Sequence, residues 1–269
     1  MTPARIGYIQ YKPEFGDRTG NLARLEALCR QAAPADLLVL PELAATGYEF
    51  LSPAEVRPLA EPFGDGPTFD LCGRLARELN ATLVAGYPES AGERLYNAAF
   101  VALPDGTFAN YRKIHLFSRE KELFSPGDAP PLVVETPLGR IGVMICFDWL
   151  FPETAHSLAI RGARILCHPS NLVLPGFCQK AMLGRCIENR VFAVTANRWG
   201  VEERVGRRLR FTGLSQVVDP RGNVLLAAPE EADHLGVVEI DPALADDKQV
   251  TEHNHLFADR RPDLYEGLG

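Results

Sequence analysis

Three residues of different chemical type stand where a hydrolytic reaction could be run: Glu42, Lys113 and Cys146. Cys146 ends the apolar run Ile141-Gly142-Val143-Met144-Ile145 and is followed by Phe147-Asp148-Trp149-Leu150-Phe151-Pro152-Glu153, where Pro152 suits the first turn of a helix. A thiol at a strand-to-helix junction is held by rigid structure and can receive backbone N–H groups, as a nucleophile elbow does. Free cysteine is also a common core filler, so these residues alone leave both roles open. Lys113 sits inside Tyr111-Arg112-Lys113-Ile114-His115-Leu116-Phe117, either covering apolar surface with its stem or presenting an ammonium to a site. Glu42 follows Leu38-Val39-Leu40-Pro41, just past an expected strand end, where α/β folds place their sites; a solvated loop carboxylate is the alternative. A thiol with an ordinary pKa of about 8.5 needs a base or a cation beside it to attack at neutral pH. A carboxylate and an ammonium supply both, and no histidine is required.

The elements that must position these residues alternate along the chain. Strands are expected at Arg5 to Gln10, Asp36 to Leu40, Ala81 to Tyr87, Gly139 to Phe147, Arg164 to His168 and Val191 to Ala196. Helices are expected through Leu22, Leu25, Leu28 and Cys29, through Leu71, Cys72, Leu75 and Leu79 ending at Asn80, at Pro152 to Gly162, and at Phe177 to Asn189. Such alternation argues an α/β fold with largely buried sheet. Two hairpins interrupt it, turning at Pro104-Asp105-Gly106 and at Asp219-Pro220-Arg221-Gly222-Asn223, and their similar surroundings hint at two related halves. No Pro/Gly/Ser linker divides the 269 residues, so a single domain over 1-269 is expected.

Composition excludes several classes. With 46% hydrophobic and 23% charged residues the chain is neither disordered nor fibrous. Lys+Arg number 28 against 35 Asp+Glu, a formal charge of −7 that opposes attraction to nucleic acid or anionic lipid. The longest uncharged apolar run, Ile141 to Phe147, is far short of the roughly 20 residues of a spanning helix. The N-terminus enters a strand almost at once without signal-peptide features, so a cytoplasmic location is expected. Six cysteines, none spaced CxxC, do not make a disulfide scaffold.

Read together, Leu40-Pro41-Glu42-Leu43 with Thr46-Gly47-Tyr48, Tyr111-Arg112-Lys113-Ile114-His115-Leu116-Phe117 with Phe124-Ser125-Pro126-Gly127-Asp128, and Gly142-Val143-Met144-Ile145-Cys146-Phe147-Asp148 with Phe151-Pro152-Glu153 resemble the nitrilase superfamily of carbon-nitrogen hydrolases. His168-Pro169-Ser170-Asn171, Arg185 to Arg190 and Asp219-Pro220-Arg221-Gly222 extend the resemblance over nearly the whole chain. It implies a four-layer α-β-β-α sandwich with two pseudo-symmetric halves, a homodimer or larger homo-oligomer with the tail from about residue 245 in its contacts, and no cofactor. It implies Glu42 as general base, Lys113 as the cation of the tetrahedral intermediate and Cys146 as nucleophile, with the backbone N–H of Phe147 as a second oxyanion donor. A second glutamate after the lysine, Glu120 with Glu122 as fallback, is expected to position substrate or lysine, and Tyr48 and Asn171 to face substrate. The substrate is then a small amide or nitrile. In this family a Trp-Glu pair after the nucleophile often accompanies nitrilases, and Phe147-Asp148 here favours an amidase reading over nitrile or N-carbamoyl hydrolysis.

Two rival readings compete. Glu252-His253-Asn254-His255, with the scattered His115, His156 and His168, could share a metal, but a third ligand at motif spacing is missing, so no metal is expected. A non-catalytic small-molecule-binding dimer would keep the sandwich without the thiol chemistry. The arginines Arg204, Arg207, Arg208 and Arg210 read as a solvated loop, with an acidic substrate or partner as the alternative.

Overall fold

In the computed structural model, which describes residues 3–265, the chain forms two six-stranded sheets with helices on their outer faces. The first half runs β1 (Ala4–Gln10), α1 (Arg18–Gln31), β2 (Leu37–Val39), α2 (Pro53–Val56), α3 (Pro67–Leu79), β3 (Thr82–Ala91), β4 (Arg94–Ala102) and β5 (Phe108–Arg112). After α4 (Glu120–Leu123), the second half runs β6 (Val133–Thr136), β7 (Gly139–Val143), α5 (Pro152–Ile160), β8 (Ile165–Pro169), α6 (Phe177–Asn189), β9 (Phe192–Ala196), β10 (Trp199–Arg204), β11 (Arg207–Thr212), β12 (Gln216–Val218) and β13 (Val224–Ala227). β14 (His234–Ile240) then returns to the first sheet, and a small β15 (Gln249–Thr251) and β16 (Asn254–His255) hairpin follows.

The two halves repeat one topology. β1, β2 and β3 are parallel, β4 and β5 continue antiparallel on one side, and β14 closes the other side antiparallel. β7, β8 and β9 are likewise parallel, continued by antiparallel β12 and β13 and closed by antiparallel β6. The two turn-marked hairpins of the sequence are the β4–β5 and β12–β13 pairs, at equivalent places in the two sheets.

Side-chain alternation explains the layering. Leu37 and Val39 point into the core shared by both sheets, with Ile6, Tyr8 and Val84 beside them and Ile165 and Val194 opposite. Leu38 and Leu40 point the other way, onto Leu25 and Cys29 of α1 and Leu71, Cys72 and Leu75 of α3. On the second sheet, Ala155 and Leu158 of α5 and Met182 and Cys186 of α6 complete the outer layer. Asn80 caps α3 in the left-handed region at φ 51°, as expected of an Asn at a helix end. Among the described residues no helix is long and apolar enough to cross a membrane.

Two expectations are corrected. The strand expected from Gly139 to Phe147 stops at Val143, and Cys146–Leu150 instead forms a 3-10 helix. The run stays buried on both sides of that break, so hydrophobicity could not mark it; the Asp148 carboxylate does, accepting the Ile145 N–H at 2.8 Å. The arginine cluster is a hairpin of β10 and β11, turning at Val205-Gly206, and not a loop. Arg204 binds Glu55 and Arg207 binds Glu49, while Arg208 and Arg210 stay exposed. The tail beyond residue 245 packs in part on its own chain: Lys248 Nζ donates to the carbonyls of Asn189 and Arg190 at the end of α6.

Candidate active site

Glu42, Lys113 and Cys146 are contributed by segments that leave strand ends of both sheets. Glu42 lies three residues past β2, Lys113 directly follows β5, and Cys146 lies three residues past β7. The first two are locked from behind by backbone. The amide of Gly86 in β3 donates to Pro41 O (3.1 Å), and its carbonyl accepts from Ala44 N (2.9 Å), so the Glu42 loop is stitched to β3 on both sides. A side chain at Gly86 would stand only 2.5 Å from Glu42 Cα, which is why the position must be glycine. Lys113 N donates to Asn97 O and its carbonyl accepts from Gly127 N, both at 2.8 Å. Leu43 (φ 48°) and Cys146 (φ 40°) are both held in the left-handed region, at a cost of about 1–3 kcal/mol each that surrounding structure must offset.

Lys113, fully buried, bridges two carboxylates: its Nζ lies 2.6 Å from Glu42 Oε1 and 2.8 Å from Glu120. Asn97 Nδ2 donates to the same Glu42 oxygen at 2.7 Å. Glu42 Oε2 is buried without a hydrogen-bond partner, leaving one lone-pair face open to take a proton. Glu120 accepts from the Tyr48 hydroxyl (2.6 Å) and the Phe117 N–H (3.0 Å), so it is saturated. Glu122 faces solvent and pairs with Arg119 outside this group.

Burial raises the Glu42 pKa above the ordinary carboxylate range, the Lys113 charge opposing and the Glu120 charge adding to it. Burial works against the Lys113 ammonium, but Glu120 and Glu42 outweigh it and hold the proton on. Burial and the Glu42 charge push the Cys146 thiol well up, with Lys113 and a hydrogen bond from the Asn171 backbone pulling the other way. The resting site therefore holds the Cys146 sulfur as a thiol, near enough to Glu42 for that charge to act on it, and Glu42 as a buried carboxylate of raised basicity able to take its proton.

Cys146 opens the 3-10 helix, so the Phe147 N–H belongs to the first turn, where backbone donors lack intrahelical acceptors. The elbow is anchored on two sides. Asp148, fully buried, accepts from Tyr111 Oη (2.8 Å) and Ile145 N (2.8 Å) and contacts His115 Nδ1 (2.7 Å). His168, pushed down to about 4 by burial and hence neutral, places Nε2 2.9 Å from the Cys146 carbonyl, which only accepts, so that nitrogen carries the proton. Asn171 Nδ2 donates to the Glu42 carbonyl at 2.9 Å, while its Oδ1 has no partner.

A hollow of about 10 Å³, room for one water, lies against Cys146 between Phe117, Phe147, Asn171 and Leu172. On the other side of Phe117 a cavity of about 200 Å³ has Tyr48 and Glu120 in its wall and Glu49, Arg119, Arg207 and Arg208 further out. Asn97 and Glu202, whose carboxylate accepts the Tyr48 and Glu49 N–H groups, were not singled out by sequence reasoning. A polar residue inside a strand otherwise as apolar as β4 was the available signal for Asn97. Among the described residues no cluster of His, Cys, Asp or Glu is arranged to hold a metal ion.

Comparison with known proteins places the chain in a family. The chain is 41% identical over 263 residues to a nitrilase of Pyrococcus abyssi, covering 97% of this chain and 98% of the relative. Its fold superposes on a carbon-nitrogen hydrolase from Helicobacter pylori G27 with a TM-score of 0.88 at 27% identity, over 98% and 97% of the two chains. It is similar also to a Glu-to-Gln mutant of the amidase from Nesterenkonia sp. AN1 that carries the acetamide moiety of fluoroacetamide covalently at its active-site cysteine (27% identical, TM-score 0.79, 97% of this chain and 95% of that one). The carbon-nitrogen hydrolase family model matches residues 5–249, and the chain accordingly belongs to the carbon-nitrogen hydrolases of the nitrilase superfamily.

Proposed function

We propose that the protein hydrolyses a small amide to a carboxylic acid and ammonia through a thioester on Cys146, with Glu42 as general base and Lys113 as oxyanion cation. The observation that carries this reading is the Lys113 bridge: one ammonium bound to two buried carboxylates, one of which keeps a free oxygen. Glu42 takes the Cys146 proton as sulfur attacks the carbonyl carbon. The oxyanion is met by Lys113 and the Phe147 N–H; one such donor in place is worth roughly 2.7–4 kcal/mol in the transition state. The carbon-nitrogen bond breaks as Glu42 returns the proton to the departing nitrogen, leaving the acyl-thioester and ammonia. Glu42 then deprotonates the attacking water, and the thiol is regained when the acid leaves. Glu120, saturated by Tyr48, Phe117 and Lys113, orients the ammonium; Asn171, with its free Oδ1 and its place in the wall of the Cys146 hollow, is a substrate-facing acceptor.

The nitrilase name of the Pyrococcus relative supports a second reading, attack of the same thiol on a nitrile. Ammonia release from a panel of aliphatic amides, ω-amides, N-carbamoyl amines and nitriles separates the two; release from nitriles alone overturns the amidase reading. Cys146→Ala should abolish turnover at unchanged melting temperature, and residual activity above about a thousandth of wild type counts against covalent catalysis. A homo-oligomer built partly on exposed tail residues such as Val250 and Leu264 belongs to the same proposal and is checked by sedimentation of the full chain.

A further inference from the structure

The β10–β11 hairpin belongs to neither large sheet, yet one of its side chains holds the loop that begins at Glu42. Glu202 of β10 accepts the Tyr48 N–H at 3.1 Å and the Glu49 N–H at 2.8 Å through Oε2, from 154 and 153 residues away in the chain. Its other oxygen is paired with the guanidinium of Arg198, which is fully buried and lies 4.0 Å above the Phe211 ring. Gly47, at φ +83°, lets the carboxylate come close: a Cβ there would be 2.9 Å from Glu202 Oε1. The Tyr48 ring packs edge-on against the same Phe211, with centroids 5.8 Å apart. Its hydroxyl then ends on Glu120, and Glu120 on Lys113.

A buried Arg–Glu pair is weak evidence for stability, since apolar residues of similar volume often serve as well or better. What this pair supplies that apolar residues cannot is a fixed carboxylate aimed at two backbone donors of an irregular loop. Arg204 and Arg207 reinforce the grip, binding the carbonyl and the carboxylate of Glu49.

We propose that Glu202, clamped by Arg198, is a positioning residue of the reaction that acts through Tyr48 and Glu120 on the Lys113 ammonium. The inference rests on the Glu42–Lys113–Cys146 reading above. Misplacing a catalytic group by about 1 Å costs on the order of a hundredfold in rate, so loosening Tyr48 should be read in kcat and not in KM.

Steady-state ammonia release is measured for wild type, Glu202→Asp, Tyr48→Phe and the double variant, with Glu203→Gln, exposed on the other face of β10, as control. Glu202→Asp keeps its charge beside Arg198 but draws the carboxylate back by one methylene. It should lower kcat about tenfold to a hundredfold with KM within about threefold. Tyr48→Phe should do the same, and in its background Glu202→Asp should cost less than about a further twofold. An unchanged kcat in Glu202→Asp, a rise in KM alone, or the full loss repeated on top of Tyr48→Phe overturns the inference. A normal kcat in Tyr48→Phe overturns it even if no variant at 202 folds. An inactive wild type overturns the catalytic reading as well, whereas an active wild type indifferent to Glu202→Asp overturns the positioning role alone.

Discussion

Gly86→Ala is a perturbation whose size can be worked from atomic positions. An alanine Cβ would stand 2.5 Å from Glu42 Cα, 2.7 Å from Leu43 N and 2.8 Å from Pro41 O, and all three are backbone atoms that cannot swing aside. Ordinary contact begins at 3.4 Å, so the Glu42 segment must retreat by roughly 0.9 Å. That segment is hydrogen-bonded to Gly86 on both sides, so the retreat also stretches those bonds. Overpacking of this kind costs about 1–3 kcal/mol of stability, while a displacement near 1 Å of a reacting group costs on the order of a hundredfold in rate. The variant should therefore stay folded at moderate temperature and lose about a hundredfold in kcat/KM for ammonia release. Gly184→Ala in α6 is the companion, because a Cβ there meets nothing among the described residues within 4 Å. It should retain full activity and gain about 0.5–1 kcal/mol. Wild-type kinetics in Gly86→Ala, with a melting temperature equal to wild type, would show that Glu42 is not held by this contact and refute the positional argument.

Further outcomes follow from the same charges. Lys113→Met leaves Glu42 and Glu120 buried without a cation and should cost about 3–5 kcal/mol in chemical denaturation at neutral pH. The Glu42 pKa is raised in the fold, so the deficit should shrink on acidification toward 4.5, where the unfolded chain also takes up the proton; a pH-independent deficit would contradict this. Glu42 must be ionised to act as base, which places the acid limb of kcat/KM above the ordinary glutamate value of 4.5. Asn97→Leu, which deletes a donor to the charged form, should move that limb to higher pH, and a limb moved downward would refute the assignment. His168, depressed from 6.5 to about 4, favours the neutral ring in the fold. Its stability contribution, on the order of 3 kcal/mol, is present above pH 6.5 and is lost as pH falls toward 4; melting curves of His168→Gln should lack that slope.

Much of this was legible in the residue order. Leucines at helical spacing and short apolar runs between them determined an α/β fold, and two turn-marked hairpins hinted at repeated halves, since burial periodicity is written locally. Glu42, Lys113 and Cys146 could be picked out because each breaks the expectation of its own segment: charge after an apolar strand, charge within an aromatic stretch, a thiol at a strand end. Tertiary structure alone decided that Lys113 touches both Glu42 and Glu120 while Glu122 turns to solvent, two residues apart on one short helix. It alone ended β7 at Val143, because the carboxylate that stops the strand lies on the next turn and is held by Tyr111 and His115 from the other half. It alone turned an arginine-rich stretch into a hairpin gripping the loop beyond Glu42. Local pattern reports which faces are buried; the buried partner of Lys113 at Glu42 lies 71 residues away in the chain, and that contact exists only once the sheets have packed.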